Sequence, residues 1–216
     1  MHKIIGIFGG TFNPIHNGHL RLAIELYEKL SLAQVRLIPA GCPPHKTQPN
    51  ATNQQRLQMI QAAINGIEGL IVDDRELQRQ GLSYTFDTLN SLRADYPKNS
   101  LGLILGMDAF LGLSNWYNWE YIIDLAHIIV VDREQYNLST TTINAFLRKY
   151  KTNDPQVLTK QIAGKIWIQD IPTLNISATQ IRDIIATGKN PNCLLPPAVL
   201  DIINVQQLYR CREYNR

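Results

Sequence analysis

The sequence predicts an α/β fold in which a doubly wound parallel sheet carries helices on both faces and a helical portion follows towards the C-terminus. Short β-branched and aliphatic runs alternate with amphipathic stretches in the N-terminal half, which is the pattern of successive βαβ units. The chain has 216 residues, 44% of them hydrophobic and 18% charged, which is enough for one such domain with a sizeable core. We therefore expect one domain over residues 1–216, with the helical portion at about 172–216.

Six short apolar runs are the candidate strands. A strand that is buried on both faces of a parallel sheet is hydrophobic along its whole length. The runs cover residues 3–8, 34–38, 70–72, 101–105, 127–131 and 165–169. Parallel neighbours need crossover connections, which are right-handed by default, so helices are expected between them.

Helical periodicity appears in the gaps between these runs, at residues 18–30, 54–64, 85–96 and 140–150. Further along, Ser177 and Gln180 have the spacing of a capping box, and Gly188 is placed to end that helix. A Pro-Pro pair at 196–197 predicts the start of a last helix. The polar region 134–163, which includes the helix at 140–150, is interpreted as a surface insertion.

Composition excludes several classes of function. Twenty-one basic and 18 acidic residues leave a net charge of +3 without a basic stripe, so we expect no nucleic-acid partner, whereas small anionic substrates are compatible. No apolar run approaches the ~18 residues of a membrane-spanning helix. Cys42, Cys193 and Cys211 are odd in number and far apart, which indicates free thiols. We expect a cytoplasmic protein; a homo-oligomer is left open.

The loop after the first predicted strand, from Gly9 to His19, has the strongest functional signal. Ligands of an open parallel sheet bind beyond the carboxyl ends of its strands. Gly9 and Gly10 let backbone N–H groups approach an anion, and the helix that begins at Gly18 adds its positive end. His16 and His19 can each donate a hydrogen bond to a phosphate oxygen. The loop therefore predicts a phosphate-binding site.

Other known motifs fit this loop less well. Its glycines do not follow the dinucleotide fingerprint G-x-G-x-x-G, and no Walker lysine comes after it. A zinc site is the alternative for the histidines, because His16, His19, Cys42 and His45 have ligand-like spacing. Phosphate binding is favoured, because two prolines stiffen the second pair and the glycine loop already has a use.

The string from Gly9 to His19 resembles the first motif of the nucleotidyltransferases with the His-x-Gly-His signature, and among them the bacterial nicotinate mononucleotide adenylyltransferases. Phosphopantetheine adenylyltransferases and cytidylyltransferases share the signature, so later segments narrow the choice. These follow the order and approximate spacing of the nicotinate enzymes: residues 43–46, 83–89, 106–108, 116–117 and 176–182. The resemblance covers residues 3 to about 205. It implies a Rossmann-like fold and transfer of AMP from ATP to nicotinate mononucleotide in NAD biosynthesis.

The resemblance also implies roles on the ATP side. The catalytic groups would be His16, His19, Lys46 and Arg182, with Mg²⁺ entering as the ATP complex. The ATP-binding set would be Gly9, Gly10, Thr11, Phe12, His16, His19, Gly106, Asp108, Arg133, Ser177, Thr179 and Arg182. Lys46 would contact the phosphates, and its alternative is a solvated loop lysine. Asp108 would hold the ribose hydroxyls, and its alternative is a helix N-cap.

On the acceptor side the resemblance implies Tyr84, Thr85, Trp116 and Tyr117. Trp116 would stack on the pyridine ring, although core packing is its alternative and is the role expected of Trp119. The backbone N–H groups of Thr85 and Tyr117 would bind the nicotinate carboxylate. Nicotinate mononucleotide is therefore expected to be preferred over the nicotinamide compound.

Two departures from the family pattern stand out. Asn13 replaces an aspartate of many relatives, and little effect is expected because the side chain still forms hydrogen bonds. After the fifth strand, Arg133 keeps a charge where many relatives have Arg-Pro-Gly, but the following loop should take another course. The alternatives to nicotinate transfer are another phosphorylated acceptor, such as phosphopantetheine, or a non-catalytic nucleotide sensor.

Overall fold

A six-stranded parallel sheet forms the centre of the protein in a computed structural model, which describes residues 3–43, 49–132, 141–172 and 174–210. The strands are β1 (Ile5–Gly10), β2 (Gln34–Pro39), β3 (Leu70–Val72), β4 (Leu101–Gly106), β5 (His127–Asp132) and β6 (Ile166–Asp170). All neighbouring strands are parallel, in the order β3-β2-β1-β4-β5-β6. The predicted sheet is confirmed, and each strand lies within about two residues of its expected position.

The strand order places a switch point between β1 and β4. The chain moves outward from β1 to β3 on one side of the sheet and then from β4 to β6 on the other. Ile5 of β1 pairs with Gln34 of β2 on one side and with Leu101 of β4 on the other. Because the connections leave β1 and β4 in opposite directions, a crevice opens at the carboxyl ends of these two strands.

Within the described ranges, ten α-helices connect and cover the strands. They are α1 (Asn17–Lys29), α2 (Asn53–Ile64), α3 (Arg75–Gln78), α4 (Thr85–Asp95), α5 (Met107–Leu111), α6 (Trp119–Leu125), α7 (Thr141–Tyr150), α8 (Val157–Lys160), α9 (Ala178–Ala186) and α10 (Pro197–Val205). The sequence predicts the six longest, whereas it gave no signal for α3, α5, α6 and α8, which have four to seven residues. None of these helices is long and apolar enough to span a bilayer.

The core consists of one apolar layer on each face of the sheet. Helices α1, α2, α9 and α10 contribute to one layer, and α4, α5, α6 and α7 contribute to the other. Successive residues of β5, Ile128 and Ile129, belong to different layers, as expected when strand side chains alternate between faces. The sheet is therefore doubly wound, and the C-terminal helices share a layer with α1 and α2.

Two expectations need correction. Residues 134–163 were interpreted as a surface insertion, but within the described part Ile143, Leu147 and Leu158 are at most 4% exposed. The four-residue spacing of Ile143 and Leu147 puts both on the inner face of α7. The capping box at the start of α9 is only half formed: Ser177 Oγ accepts the Gln180 N–H at 3.1 Å, but no return bond from the Gln180 side chain exists in the described ranges.

Two local expectations are confirmed. Trp119 is half-buried and packs edge-on against Phe146, with 5.1 Å between ring centroids. Cys42 and Cys193 are free and exposed, whereas Cys211 lies outside the described residues.

Candidate active site

The two glycines at the end of β1 have different surroundings: Gly9 faces open space and Gly10 lies under the Phe12 ring. An added Cβ at Gly9 would meet nothing within 4 Å, so this residue faces open space in the crevice. An added Cβ at Gly10 would lie 3.0–3.2 Å from the ring of Phe12, which folds back over it. Phe12 has a φ of 47°, in the left-handed region. Such a turn brings successive N–H groups to one side, where they can bind an anion.

Two histidines cap helix α1. The N-cap His16 accepts the His19 N–H on its Nδ1, and His19 Nδ1 accepts the His16 N–H, both at 3.3 Å. Their rings stack with centroids 3.6 Å apart. Because each Nδ1 accepts a hydrogen bond, each neutral ring carries its proton on Nε2. The pair therefore presents two Nε2–H donors at the positive end of a helix.

Gly18 allows this arrangement. An added Cβ at Gly18 would lie 3.0 Å from His16 Nδ1, 3.1 Å from His16 Cε1 and 3.5 Å from the Leu174 carbonyl oxygen. The first two distances are shorter than ordinary van der Waals contact. The glycine between the two histidines is thus favoured by the position of the first ring, and not by an unusual backbone angle.

Helix α9 places Arg182 against the β1 loop. Arg182 Nη1 donates to the Asn13 carbonyl at 2.9 Å, and Nη2 donates to Thr179 Oγ1 at 3.1 Å. Ser177 caps the same helix, and both Ser177 and Thr179 are exposed. The structure therefore brings a second helix N-terminus and an arginine beside the histidine pair.

Next to the loop lies a cleft of about 340 Å³. Its lining includes eight residues of the predicted site: Gly9, Gly10, Thr11, Tyr84, Thr85, Gly106, Trp116 and Tyr117. The Tyr84 and Tyr117 rings lie 4.6 Å apart, and Tyr117 is 50% exposed at the rim. The acceptor-side residues thus share one cleft with the glycine loop.

Two residues that line this cleft, Thr85 and Tyr117, have backbone N–H groups to consider as donors. Thr85 is the first residue of α4, and its N-cap Tyr84 forms no side-chain capping bond. Within the described ranges, neither the Thr85 N–H nor the Tyr117 N–H has a hydrogen-bond acceptor. The Thr85 N–H lies at a helix start, where an anion is favoured.

The remaining predicted residues do not line the cleft. Asp108 is exposed in the first turn of α5, whose N-cap is Gly106, so the alternative of an Asp108 N-cap is wrong. Phe12, His16, His19 and Arg182 adjoin the glycine loop instead.

Lys46 and Arg133 lie outside the described residues, and so does His45 of the zinc alternative. Among the described residues, no group of three or more His, Cys, Asp or Glu side chains could hold a metal ion.

Arg56 is a site residue that the sequence analysis missed. Its side chain is fully buried under the loop, where Nη1 donates to the Thr11 carbonyl and Nη2 to the Ala40 carbonyl, each at 2.6 Å. Burial lowers the pKa of this guanidinium. Arg56 shares a face of α2 with the buried Met59 and Ile60. A charged residue on this apolar face is the feature of the sequence that indicates a buried arginine.

Glu76 is a second missed residue, and it lines the cleft while 8% exposed. Thr88 Oγ1 donates to its Oε1 at 2.6 Å. Ser83 Oγ accepts the N–H groups of Gly41 and Cys42 at 2.9 and 3.1 Å, and its hydroxyl lies near enough to Glu76 to lower the pKa of that carboxyl group. Burial raises the pKa of Glu76 against the opposing effect of the two hydroxyls. Its helix, α3, is too short to show periodicity in the sequence.

Tyr209 is a third missed residue, from the segment after α10. Its hydroxyl donates to Asn13 Oδ1 at 2.8 Å, and burial raises the pKa of the phenol although Arg182 and Arg56 oppose the shift. The loop is therefore held by Arg56, Arg182 and Tyr209, which come from three separate parts of the chain.

Comparisons with known proteins agree with this architecture. A family model described as cytidylyltransferase-like matches residues 7–184. A protein of Pseudomonas syringae named probable nicotinate-nucleotide adenylyltransferase is 45% identical over 208 residues, which cover 95% of this chain and 93% of that protein. A protein of Aeromonas salmonicida with the same name is 42% identical and covers 95% and 97%.

Solved structures show a similar fold. Plasmodium falciparum nicotinic acid mononucleotide adenylyltransferase, in complex with NaAD, has a TM-score of 0.73 at 20% identity and covers 96% of this chain and 98% of its own. A second structure is described as a putative nicotinate-nucleotide adenylyltransferase from Vibrio parahaemolyticus. It has a TM-score of 0.64 at 20% identity, and the match covers 96% of each chain. At this identity the likeness shows the fold alone.

Proposed function

Since the chain belongs to the nicotinate-nucleotide adenylyltransferases, within the cytidylyltransferase-like family, we propose that it transfers AMP from ATP to nicotinate mononucleotide, giving nicotinate adenine dinucleotide and pyrophosphate. The observation that carries the proposal is a juxtaposition at the switch point of the sheet. The glycine loop with its two capping histidines adjoins an aromatic cleft, and two residues that line the cleft have N–H groups without an acceptor in the described ranges. A triphosphate fits the first feature and a pyridine carboxylate fits the second.

The reaction is a direct displacement. A 5′-phosphate oxygen of the acceptor attacks the α-phosphorus of ATP, the new P–O bond forms, and the bond to pyrophosphate breaks. The nucleophile is already an anion, so no covalent enzyme intermediate is needed. The chain then accelerates the step by aligning two polyanions and stabilising the charge that develops on phosphate oxygens.

We assign this stabilisation to residues around the β1 loop. The Nε2–H groups of His16 and His19 would donate to the reacting phosphate, and Arg182 lies close enough to the loop to contact the phosphates from α9. Lys46 and Arg133 would add charge from segments outside the described residues. Asp108, exposed just beyond β4, would hold the ribose hydroxyls.

Magnesium would enter as part of the substrate, MgATP. An ion held by phosphate oxygens and water needs no carboxylate cage, and the donors around the loop are all suited to phosphate rather than to metal. When bound, Mg²⁺ would neutralise charge on the triphosphate.

Acceptor selectivity follows from the pair of donors in the cleft. A carboxylate can accept from both the Thr85 and the Tyr117 N–H groups, whereas an amide turns its NH₂ towards one of them. The donor left unpaired costs about 1–3 kcal/mol, which corresponds to a preference of roughly tenfold to over a hundredfold for nicotinate mononucleotide. Trp116 lines the same cleft and would stack on the ring.

A pyrophosphate-release assay with ATP, Mg²⁺ and three acceptors tests the proposal: nicotinate mononucleotide, nicotinamide mononucleotide and phosphopantetheine. Competition between the two pyridine compounds at limiting ATP gives the ratio of their kcat/KM values. A ratio near one, or in favour of the amide, would reject the acceptor while adenylyl transfer stands. Turnover with phosphopantetheine alone, or ATP binding without turnover, would support the two alternatives.

A further inference from the structure

Arg56 is buried without the partner that a buried cation usually has. No carboxylate lies within ion-pair distance of it in the described ranges, and its Nε is buried without a hydrogen-bond partner. Its other contacts are carbonyl oxygens of Thr11 and Ala40 and the Asn53 Oδ1, all at 2.6 Å. Apolar residues at this position of α2 would avoid the cost of desolvating a charge.

The two carbonyl contacts fix the direction of two peptide units. In a trans peptide the C=O and the following N–H point in opposite directions. The Ala40 carbonyl points to Arg56, and the Gly41 N–H on the other side of that peptide donates to Ser83 Oγ at 2.9 Å. The Thr11 carbonyl also points to Arg56, so the Phe12 N–H points away from it.

The Phe12 N–H differs from the Gly41 N–H in one respect: it has no acceptor within the described ranges. Thr11 lines the cleft, and Phe12 adopts the left-handed conformation that turns N–H groups to one side. The free N–H is therefore placed to receive an anion beside the histidine pair.

We propose that Arg56 is a positioning residue for the triphosphate: its guanidinium fork holds the Thr11 and Ala40 carbonyls and thereby directs the Phe12 N–H towards a phosphate oxygen. The proposal rests on ATP being the substrate proposed above. It assigns to α2, through Arg56, the orientation of a backbone donor to the triphosphate.

Substitution of Arg56 tests the geometry. The Arg56→Met substitution removes both the guanidinium fork and the positive charge. The Arg56→Lys substitution keeps the charge but cannot present two donors in a fixed geometry. Asn53→Ala is the matched control, because it removes one bond to Arg56 and leaves both carbonyl contacts. Isothermal titration with inorganic tripolyphosphate and steady-state kinetics with both substrates are measured for all four proteins.

Both Arg56 variants should bind tripolyphosphate about tenfold or more weakly and show a raised KM for ATP, since a donor to a charged group is misdirected. The KM for nicotinate mononucleotide and all constants of Asn53→Ala should stay at the wild-type level. Wild-type affinity in Arg56→Lys, or an equal loss for both substrates, would overturn the proposal. Tripolyphosphate binding does not depend on the acceptor, so a wrong acceptor assignment would leave this result intact.

A measurement on the wild-type protein covers the case in which the variants do not fold. In an NMR titration with tripolyphosphate, the Phe12 amide proton should move downfield more than those of neighbours such as Gly41, whose N–H already has an acceptor. A Phe12 amide that does not respond while tripolyphosphate binds would also overturn the proposal.

Discussion

Substitution of Gly18 by alanine should separate the stability of helix α1 from the position of its capping histidine. The new Cβ would lie 3.0 Å from His16 Nδ1, against about 3.4 Å for an ordinary contact, so the ring must move by a few tenths of an ångström. The bond from the His19 N–H to that Nδ1 is already 3.3 Å long and would break. Nε2 lies farther from the Cβ of His16 than Nδ1 does, and a rotation about the Cα–Cβ bond that moves Nδ1 out of contact therefore displaces Nε2 more.

The substitution should change the stability of the fold little and the rate of the reaction much. Alanine favours a helix by up to about 1 kcal/mol over glycine. The lost capping bond costs about 0.5–2 kcal/mol, so the net change in stability should be small. A displaced donor at the reacting phosphate should lower kcat about 10- to 100-fold.

The assay compares kcat with the free energy of unfolding in urea. Gly112→Ala is the control, because its added Cβ would lie 3.6 Å from the Asp108 carbonyl oxygen, an ordinary contact. A Gly18→Ala protein with full kcat would refute the assignment of His16 to the reaction. A protein that loses several kcal/mol of stability would refute the reasoning on the helix.

Three further results are expected. His19→Ala should lower kcat by about 10²- to 10³-fold while ATP affinity, measured by titration, falls much less, because the donor counts most as charge develops; equal losses would remove it from the transition state. Arg182→Lys should raise the KM for ATP more than the KM for the acceptor, since the bond to the Asn13 carbonyl and the fork are both lost. Burial raises the pKa of Glu76 above its usual 4.5, so its contribution to stability is complete below that value and is lost as the pH rises through the folded-state pKa. Urea unfolding at a series of pH values should therefore show the stability advantage of wild type over Glu76→Gln shrinking as the pH rises, and a constant difference would contradict the raised pKa of Glu76.

The strands could be predicted because each is a short apolar run that is buried on both faces. The helices α3, α5, α6 and α8 could not, because four to seven residues complete too few turns for a 3.6-residue period to appear. The burial of residues 143 and 147 could not be predicted from the polar composition of 134–163, although the four-residue spacing of Ile143 and Leu147 is that of one helix face. Packing against the sheet, and not local composition, therefore determines which residues of this region are buried.

The site residues also differ in whether they could be predicted from the sequence. The glycines and histidines of the β1 loop are close in sequence, so a local motif reveals them. Tyr209 and Asn13 are 196 residues apart, and no local pattern links them. Arg56 carried a signal, a charge on an apolar face, but its acceptors Thr11 and Ala40 become visible only when β1 and β2 lie side by side.

The reciprocal histidine cap ties the reaction to the folding of helix α1. Serine, aspartate and asparagine are better N-cap residues than histidine, so the exchange at position 16 that would strengthen the helix would also remove a phosphate donor. The residue that is best for thermal stability at this position therefore differs from the residue that is best for turnover. A chain that no longer needed the reaction would gain helix stability by exchanging His16, and the stacked contact between the two rings would be lost with it.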